Sequence, residues 1–224
     1  MRKITLALTA ILAAGCVFNT TYEENTTTTD NSYVEVDGRK NFGSAHALMT
    51  LPQPCVVIST WDKEHHPNVM VAAWAGQIDA TQIVISLSQH KTSENLEESK
   101  AFTLSFVDQN TLTQSDYFGL VSGKLVSDKL SHVGFTTTPS PNVNAPIINE
   151  YPLTLECKVR SFKDGILIGE VVNMSAEERI LTGGKVDLDK LQPVVFDASA
   201  NVYRAVGEAV GHAWQEGKVY MDNQ

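Results

Sequence analysis

Basic charge is scarce in this chain: 17 Lys and Arg stand against 26 Asp and Glu in 224 residues, a formal net charge of −9. Nucleic-acid binding needs a lysine- and arginine-rich face to displace phosphate counterions, and no basic stripe occurs, so the composition argues against a nucleic-acid partner. Cysteine is also sparse, with three residues and no Cys-x-x-Cys. The longest apolar run, Ile4 to Ala14, has eleven residues and is too short to cross a bilayer. Gly-x-Gly-x-x-Gly, the P-loop, His-Glu-x-x-His and Gly-x-Ser-x-Gly are all missing, which removes sequence support for Rossmann, P-loop, zincin and serine-hydrolase chemistry. No repeat of fixed period suggests a solenoid or propeller. What is present is material for one globular domain: 42% apolar residues, with 8 Phe, 6 Tyr and 3 Trp as anchors.

The amino terminus has the charged, apolar, small order of a secretory signal: Met1-Arg2-Lys3, the run to Ala14, then Gly15-Cys16. Leu12-Ala13-Ala14-Gly15-Cys16 resembles a bacterial lipobox, which implies cleavage before Cys16 and acylation of that cysteine; an ordinary signal cut near Ala14 or Gly15 is the alternative. Loss of residues 1–15 leaves 15 basic against 26 acidic residues, a formal −11. Residues 16–44 read as the lipidated cysteine and a flexible Thr- and Asn-rich linker that can bury little apolar surface. The expected protein is therefore exported and lipid-anchored to a bacterial membrane on the periplasmic or extracytoplasmic side, with its folded domain over residues 45–224. Export permits a disulfide, but Cys55 and Cys157 sit among strand-like apolar residues and read as two buried thiols.

Strand signals dominate the domain. Cys55–Trp61, Asn68–Ala73, Gln82–Ser88, Ala101–Val107, Leu153–Phe162 and Ile166–Met174 are rich in β-branched and aromatic residues. Lys163-Asp164-Gly165 is a hairpin signal between the last two. Thr92–Lys100 carries the caps of a short helix, and Ser115–Gly123 and Ser127–Gly134 read as two more. The expected fold is mostly β and antiparallel.

Three segments could carry chemistry. His65-His66 is adjacent to Pro67, and neighbouring side chains of an extended chain point to opposite faces, so a solvated turn is preferred over a metal site. Gln89-His90-Lys91-Thr92-Ser93 leads from a strand end into a helix; the unpaired N–H groups there, with Lys91 and the hydroxyls, make a competent phosphate cradle. Simple capping by Thr92 or Ser93 is the alternative. Asn68-Val69-Met70-Val71-Ala72-Ala73-Trp74-Ala75-Gly76 turns abruptly small around one Trp. It reads either as a strand that lets a flat ligand approach its backbone or as an edge strand with a core Trp.

In this order the segments resemble the flavin reductase-like proteins, and the flavoredoxin branch in particular. The residues that carry the likeness run from Val56–Asp62 through Asn68-Val69-Met70 and Trp74, Thr92, Phe102–Phe106, Ser122-Gly123, Asp128-Lys129, Ala145-Pro146 and Leu155-Glu156-Cys157 to Gly169-Glu170-Val171. The resemblance implies an FMN-binding antiparallel split β-barrel of Greek-key type with short peripheral helices, usually paired as a homodimer. It further implies that Asn68, Val69, Met70, Trp74 and Ala75 lie along the flavin, and that His90, Lys91 and Thr92 hold its phosphate. No catalytic residue and no metal is implied; His132 and His212 are assigned no role. Three readings stay open: a membrane-tethered FMN electron-transfer protein, an NAD(P)H:flavin oxidoreductase, and a non-redox binding module that has lost flavin. Export favours the first, with a protein as electron donor.

Overall fold

The computed structural model describes residues 51–221, with residues 38–39 and the backbone of residues 11–12 and 16–17. The signal sequence, the lipid on Cys16 and the linker expected before residue 45 otherwise fall outside the described residues.

The domain is built on one antiparallel sheet. In chain order its elements are β1 (Gln53–Pro54), β2 (Val56–Trp61), β3 (Pro67–Ala72), β4 (Ala75–Gln77), β5 (Gln82–Ser86), α1 (Lys91–Ser99), β6 (Ala101–Phe106) and α2 (Leu112–Leu120). There follow α3 (Lys129–His132), β7 (Thr137–Pro139), β8 (Pro146–Ile148), β9 (Leu153–Lys163), β10 (Ile166–Ala176), β11 (Leu181–Thr182), β12 (Lys185–Val186), α4 (Leu188–Leu191), β13 (Val194–Asp197) and β14 (Val202–Ala205). Seven strands are hydrogen-bonded in the order β3-β2-β6-β9-β10-β5-β4.

That order dictates the shape. β3 and β4 are the two edges of the sheet, yet only Ala73 and Trp74 join them. Three residue steps reach about 10 Å at most, so the edges must meet and the sheet must curl into a half-barrel. Two register shifts in the β9–β10 pair, at Glu156/Cys157 and Val159/Ser161, add the local twist that lets long strands follow the curl. Asp164 and Gly165 close that pair at φ 51 and 77, the two positive angles a type I′ hairpin demands. The mostly β split barrel with short helices expected from the sequence is the architecture found.

The curled sheet has a core on each face. Val57, Val69, Val71, Phe118, Phe135, Tyr151 and Phe196 fill one; Phe118–Phe135 and Phe135–Tyr151 meet edge-on at 6.0 and 5.8 Å. Ile58, Met70, Ile85, Leu96, Phe102, Leu104, Cys157 and Leu167 fill the other. Cys55 belongs to the first and Cys157 to the second, both buried and free, and burial pushes both thiols up to about 12.

The helix boundaries differ from the sequence expectation, by one residue at each end of α1 and by more in α2 and α3. α2 begins at Leu112, three residues before the expected Ser115, because Asp108 Oδ1 accepts from the Thr111 N–H at 2.8 Å and from its hydroxyl at 2.7 Å, fixing the turn that launches it. α3 is cut to Lys129–His132, and Gly134 at φ 76 carries the chain away.

Glu156 is the polar hub of the barrel wall. Its buried carboxylate accepts from Ser140, Asn142 and Asn173, tying the loop before β8 to β9 and β10. Burial alone would raise its pKa, but these donors outweigh it and hold the group below the usual carboxylate range. A depressed carboxylate stabilises the fold above its unfolded pKa, and that contribution is lost as pH falls through the folded value. Glu156→Ala should cost about 1.5–3 kcal/mol at neutral pH, measured by urea denaturation, with the gap from wild type narrowing in acid.

Candidate functional site

Pro67 can open β3 because this strand is a sheet edge, where a missing N–H costs no ladder bond. The next residue, Asn68, is buried, and its Nδ2 donates to Thr92 Oγ1 at 2.8 Å. On the same rung, where Thr60 of β2 stands opposite Asn68, Asn95 Nδ2 donates to Thr60 Oγ1 at 3.0 Å. These two buried pairs bolt α1 across β2 and β3, so the position of the helix start is set by the sheet.

At that start the hydroxyls divide the work. Ser93 Oγ accepts from the His90 N–H at 3.2 Å and donates to Ser88 O at 2.7 Å, while His90 Nε2 lies 2.9 Å from Ser88 Oγ. Ser93 therefore closes the helix start, and Thr92 is committed to Asn68. The Ser93 N–H donates back to the His90 side chain, completing a capping box, and the N–H groups of residues 91 and 92 have no acceptor within the helix. They form the positive end of its dipole, where an anion is stabilised.

The loop after α2 completes the arrangement. A Cβ on Gly123 would sit 2.0 Å from Asn68 Oδ1 and 3.4 Å from Lys91 Cβ, so only glycine lets the loop close on the Asn68–Thr92 pair. Lys124 reaches Glu94 of α1 in an exposed ion pair. Lys129 is buried and donates to the Phe118 and Val121 carbonyls at 3.3 and 3.1 Å, capping the last turn of α2; burial brings its pKa down to about 8. His90 is also lowered, first by burial and then by the charges of Lys129 and Lys124. Three lysines and a helix start thus surround one end of β3 in an otherwise acidic protein. This donor set suits a phosphate monoester.

The expected site residues fall into two groups. Asn68, His90, Lys91 and Thr92 come together at the helix start. Trp74 and Ala75 lie where the two sheet edges meet, with Trp74 43% exposed and open space beyond Gly76. The edge-strand alternative was right about the edge, but Trp74 is not in the core. Val69 and Met70 point into opposite cores, so their backbone is what they can offer a ligand. Gly123 and Lys129 were visible in the sequence only as landmarks of the resemblance; that a lysine would be buried has no sequence signal. The turn holding His65 and His66 is exposed, and Asp62 Oδ1 there accepts from the N–H groups of Glu64 and His66. His132 stacks on Tyr117 at 5.3 Å.

Comparison with known proteins gives the frame for this geometry. A family model described as flavin reductase like domain matches residues 48–199. Flavoredoxin of Desulfovibrio vulgaris (Miyazaki F) is 32% identical, with a TM-score of 0.76 over 80% of this chain and 100% of that one. Flavoredoxin from Methanosarcina acetivorans is 26% identical, with a TM-score of 0.71 over 84% of this chain and 100% of that one. An FMN-binding domain of a flavin reductase-like enzyme from Shewanella baltica shares the fold, at 22% identity and a TM-score of 0.65 over 71% of this chain and 89% of that one.

Proposed function

The chain belongs to the flavin reductase-like family, a flavin-related redox family, and from that premise we propose that it binds FMN at the start of α1 and transfers electrons through it, tethered to a bacterial membrane by a lipid on Cys16. The observation that carries the FMN reading is the buried Asn68–Thr92 pair closed over by Gly123, with the lysine-rich helix start beside it. Bound there, the flavin supplies the redox chemistry, and the protein supplies position and electrostatics.

Lys91 and the open N–H groups of residues 91 and 92 hold the phosphate. Asn68 acts through Thr92, fixing the helix start against the sheet. The small residues at the seam, Ala73, Ala75 and Gly76, let a flat ring system approach the backbone, with Trp74 at its margin. His90, its pKa lowered by burial and then by the charges of Lys129 and Lys124, spends its ring on Ser88 Oγ and the Ser93 N–H and so holds the helix start in shape. No acid–base pair is required of the chain.

The first test is flavin absorbance of the purified protein. Bleaching by dithionite, with only slow bleaching by NADH or NADPH, supports electron transfer from a protein donor. Turnover with either nucleotide at ordinary enzyme rates, on the order of 10 per second, would instead make the protein an NAD(P)H:flavin oxidoreductase. Lys91→Ala and Thr92→Ala should each weaken FMN about tenfold, roughly 1.4 kcal/mol, and leave riboflavin, which lacks the phosphate, almost unaffected. Equal losses for both ligands would reduce these residues to parts of a helix cap. Cys16→Ala should leave an unlipidated precursor with its signal sequence uncleaved; an ordinary cleaved, soluble product from that variant would remove the lipid anchor.

A further inference from the structure

The Asn68 and Asn95 pairs fix the start of α1 to β3 and β2. The chain that leads into that start is fixed separately, at the tip of a hairpin. β5 pairs with β10 as far as Ser86 opposite Ile166. One step beyond this ladder, the Leu87 N–H donates to Gly165 O of the β9–β10 turn at 2.7 Å. Next comes Ser88, whose carbonyl accepts from Ser93 Oγ at 2.7 Å and whose Oγ lies 2.9 Å from His90 Nε2. A continuous line of bonds therefore runs from the hairpin tip to His90 and Ser93, the two residues that flank the open N–H groups of residues 91 and 92.

Gly165 leaves no room for a side chain at the first link of that line. Its φ of 77 is one that glycine adopts freely and asparagine tolerates. A Cβ there would also stand 2.7 Å from Leu87 O, a backbone atom. Leu87 cannot retreat from it, because its side chain is buried in the same core as Leu96 of α1. The tip is exposed at Lys163, Asp164 and Ile166, so with a side chain at 165 either the tip lifts and the Leu87 N–H loses its acceptor, or Leu87 and Ser88 shift together. Both courses release the segment that holds the helix start, and N–H···O bonds to a ligand weaken steeply once their angle closes.

We infer that the tip of the β9–β10 hairpin sets the position of the anion-binding start of α1, with Gly165 as a positioning residue that acts through Leu87 and Ser88. Its ligand readout rests on the FMN reading proposed above; its structural readout does not. A role confined to the turn itself makes a different prediction. Asparagine satisfies the positive φ but still carries a Cβ, so it would rescue a turn and would not rescue the contact with Leu87.

Gly165→Ala, Gly165→Asn, Ser93→Ala and the double variant Gly165→Ala/Ser93→Ala give the test in the full-length protein. Amide hydrogen exchange over residues 87–94 should quicken about tenfold or more in both Gly165 variants. Exchange over Phe102–Phe106, in the middle of the sheet, should stay as in wild type and report that the fold is intact. FMN should bind about tenfold more weakly to both, with riboflavin within about twofold of wild type. Ser93→Ala cuts the same line further along, so its effect and that of Gly165→Ala should fall short of adding in the double variant. Unchanged exchange at residues 87–94, rescue by asparagine, equal losses of both flavins or full additivity would each overturn the inference. A wild type that binds neither flavin would sink the FMN reading alone, and quickened exchange in both Gly165 variants would still support the positioning.

Discussion

Gly123→Val is expected to lower FMN affinity about a hundredfold and to cost the fold roughly 3 kcal/mol, because the space for a side chain is already taken. A Cβ would lie 2.0 Å from Asn68 Oδ1, and Asn68 cannot swing aside freely. Its Nδ2 is spent on Thr92 at 2.8 Å, and both residues are buried. Either the loop from Val121 to Val126 lifts away, or Asn68 turns and leaves a buried amide and hydroxyl unpaired. The second course alone costs about 1–3 kcal/mol per orphaned group. Both courses displace the helix start from β3, and with it the N–H groups proposed to hold the phosphate. Riboflavin binding should fall less than FMN binding. Asn68→Ala in the Gly123→Val background separates the two courses: it makes room for the valine, so it should recover stability while leaving FMN binding weak. Isothermal titration with both ligands, beside urea denaturation of each variant, gives the comparison. An affinity for FMN within threefold of wild type in Gly123→Val would remove the loop from the site.

The parts of this architecture that were legible in the sequence are those with local causes. Alternation and β-branched residues marked the main strands of the half-barrel, and Asp164-Gly165 announced its hairpin in so many letters. Asp108 and Thr111 also carry a local signal, an acid and a hydroxyl three apart, and with it α2 could have been started correctly. The site is another matter. Asn68 and Thr92 are 24 positions apart, and nothing local says that they touch; only the resemblance placed them together. Val69 and Met70 could have been separated from periodicity alone, since adjacent residues of a strand face opposite sides and here enter different cores. The short pairs Thr137–Pro139 with Pro146–Ile148 and Leu181–Thr182 with Lys185–Val186 carry no periodicity long enough to register. Lys129 reads like any surface lysine until the end of α2 is seen to fold over it.

If FMN binds as proposed, that lysine should make its binding pH-dependent in a direction opposite to ordinary intuition about a phosphate. Lys129 is buried with two carbonyl oxygens as its hydrogen-bond acceptors, and desolvation brings its pKa down to about 8. In the folded protein without ligand it gives up its proton near that pH, whereas in the unfolded chain it keeps it to the ordinary lysine range. Between those values the unfolded state holds more protons, so stability should rise with pH there. A phosphate at the helix start reverses the balance, because a nearby anion favours the ammonium form and raises its pKa. The complex then holds a proton that the free protein has lost, and FMN affinity should fall as pH rises through about 8, by up to about tenfold per pH unit. The shift of His90 is downward, away from the alkaline range, so it does not mimic this loss. Riboflavin should bind with a flat profile over the same range. Lys129→Met should flatten the FMN profile as well and weaken FMN at neutral pH about a hundredfold, by removing the cation and by leaving the Phe118 and Val121 carbonyls without a donor. Fluorescence titrations of both flavins against wild type and variant decide it. An FMN affinity that stays constant from neutral to alkaline pH would place Lys129 outside the electrostatic reach of the bound phosphate and leave it only the cap of α2.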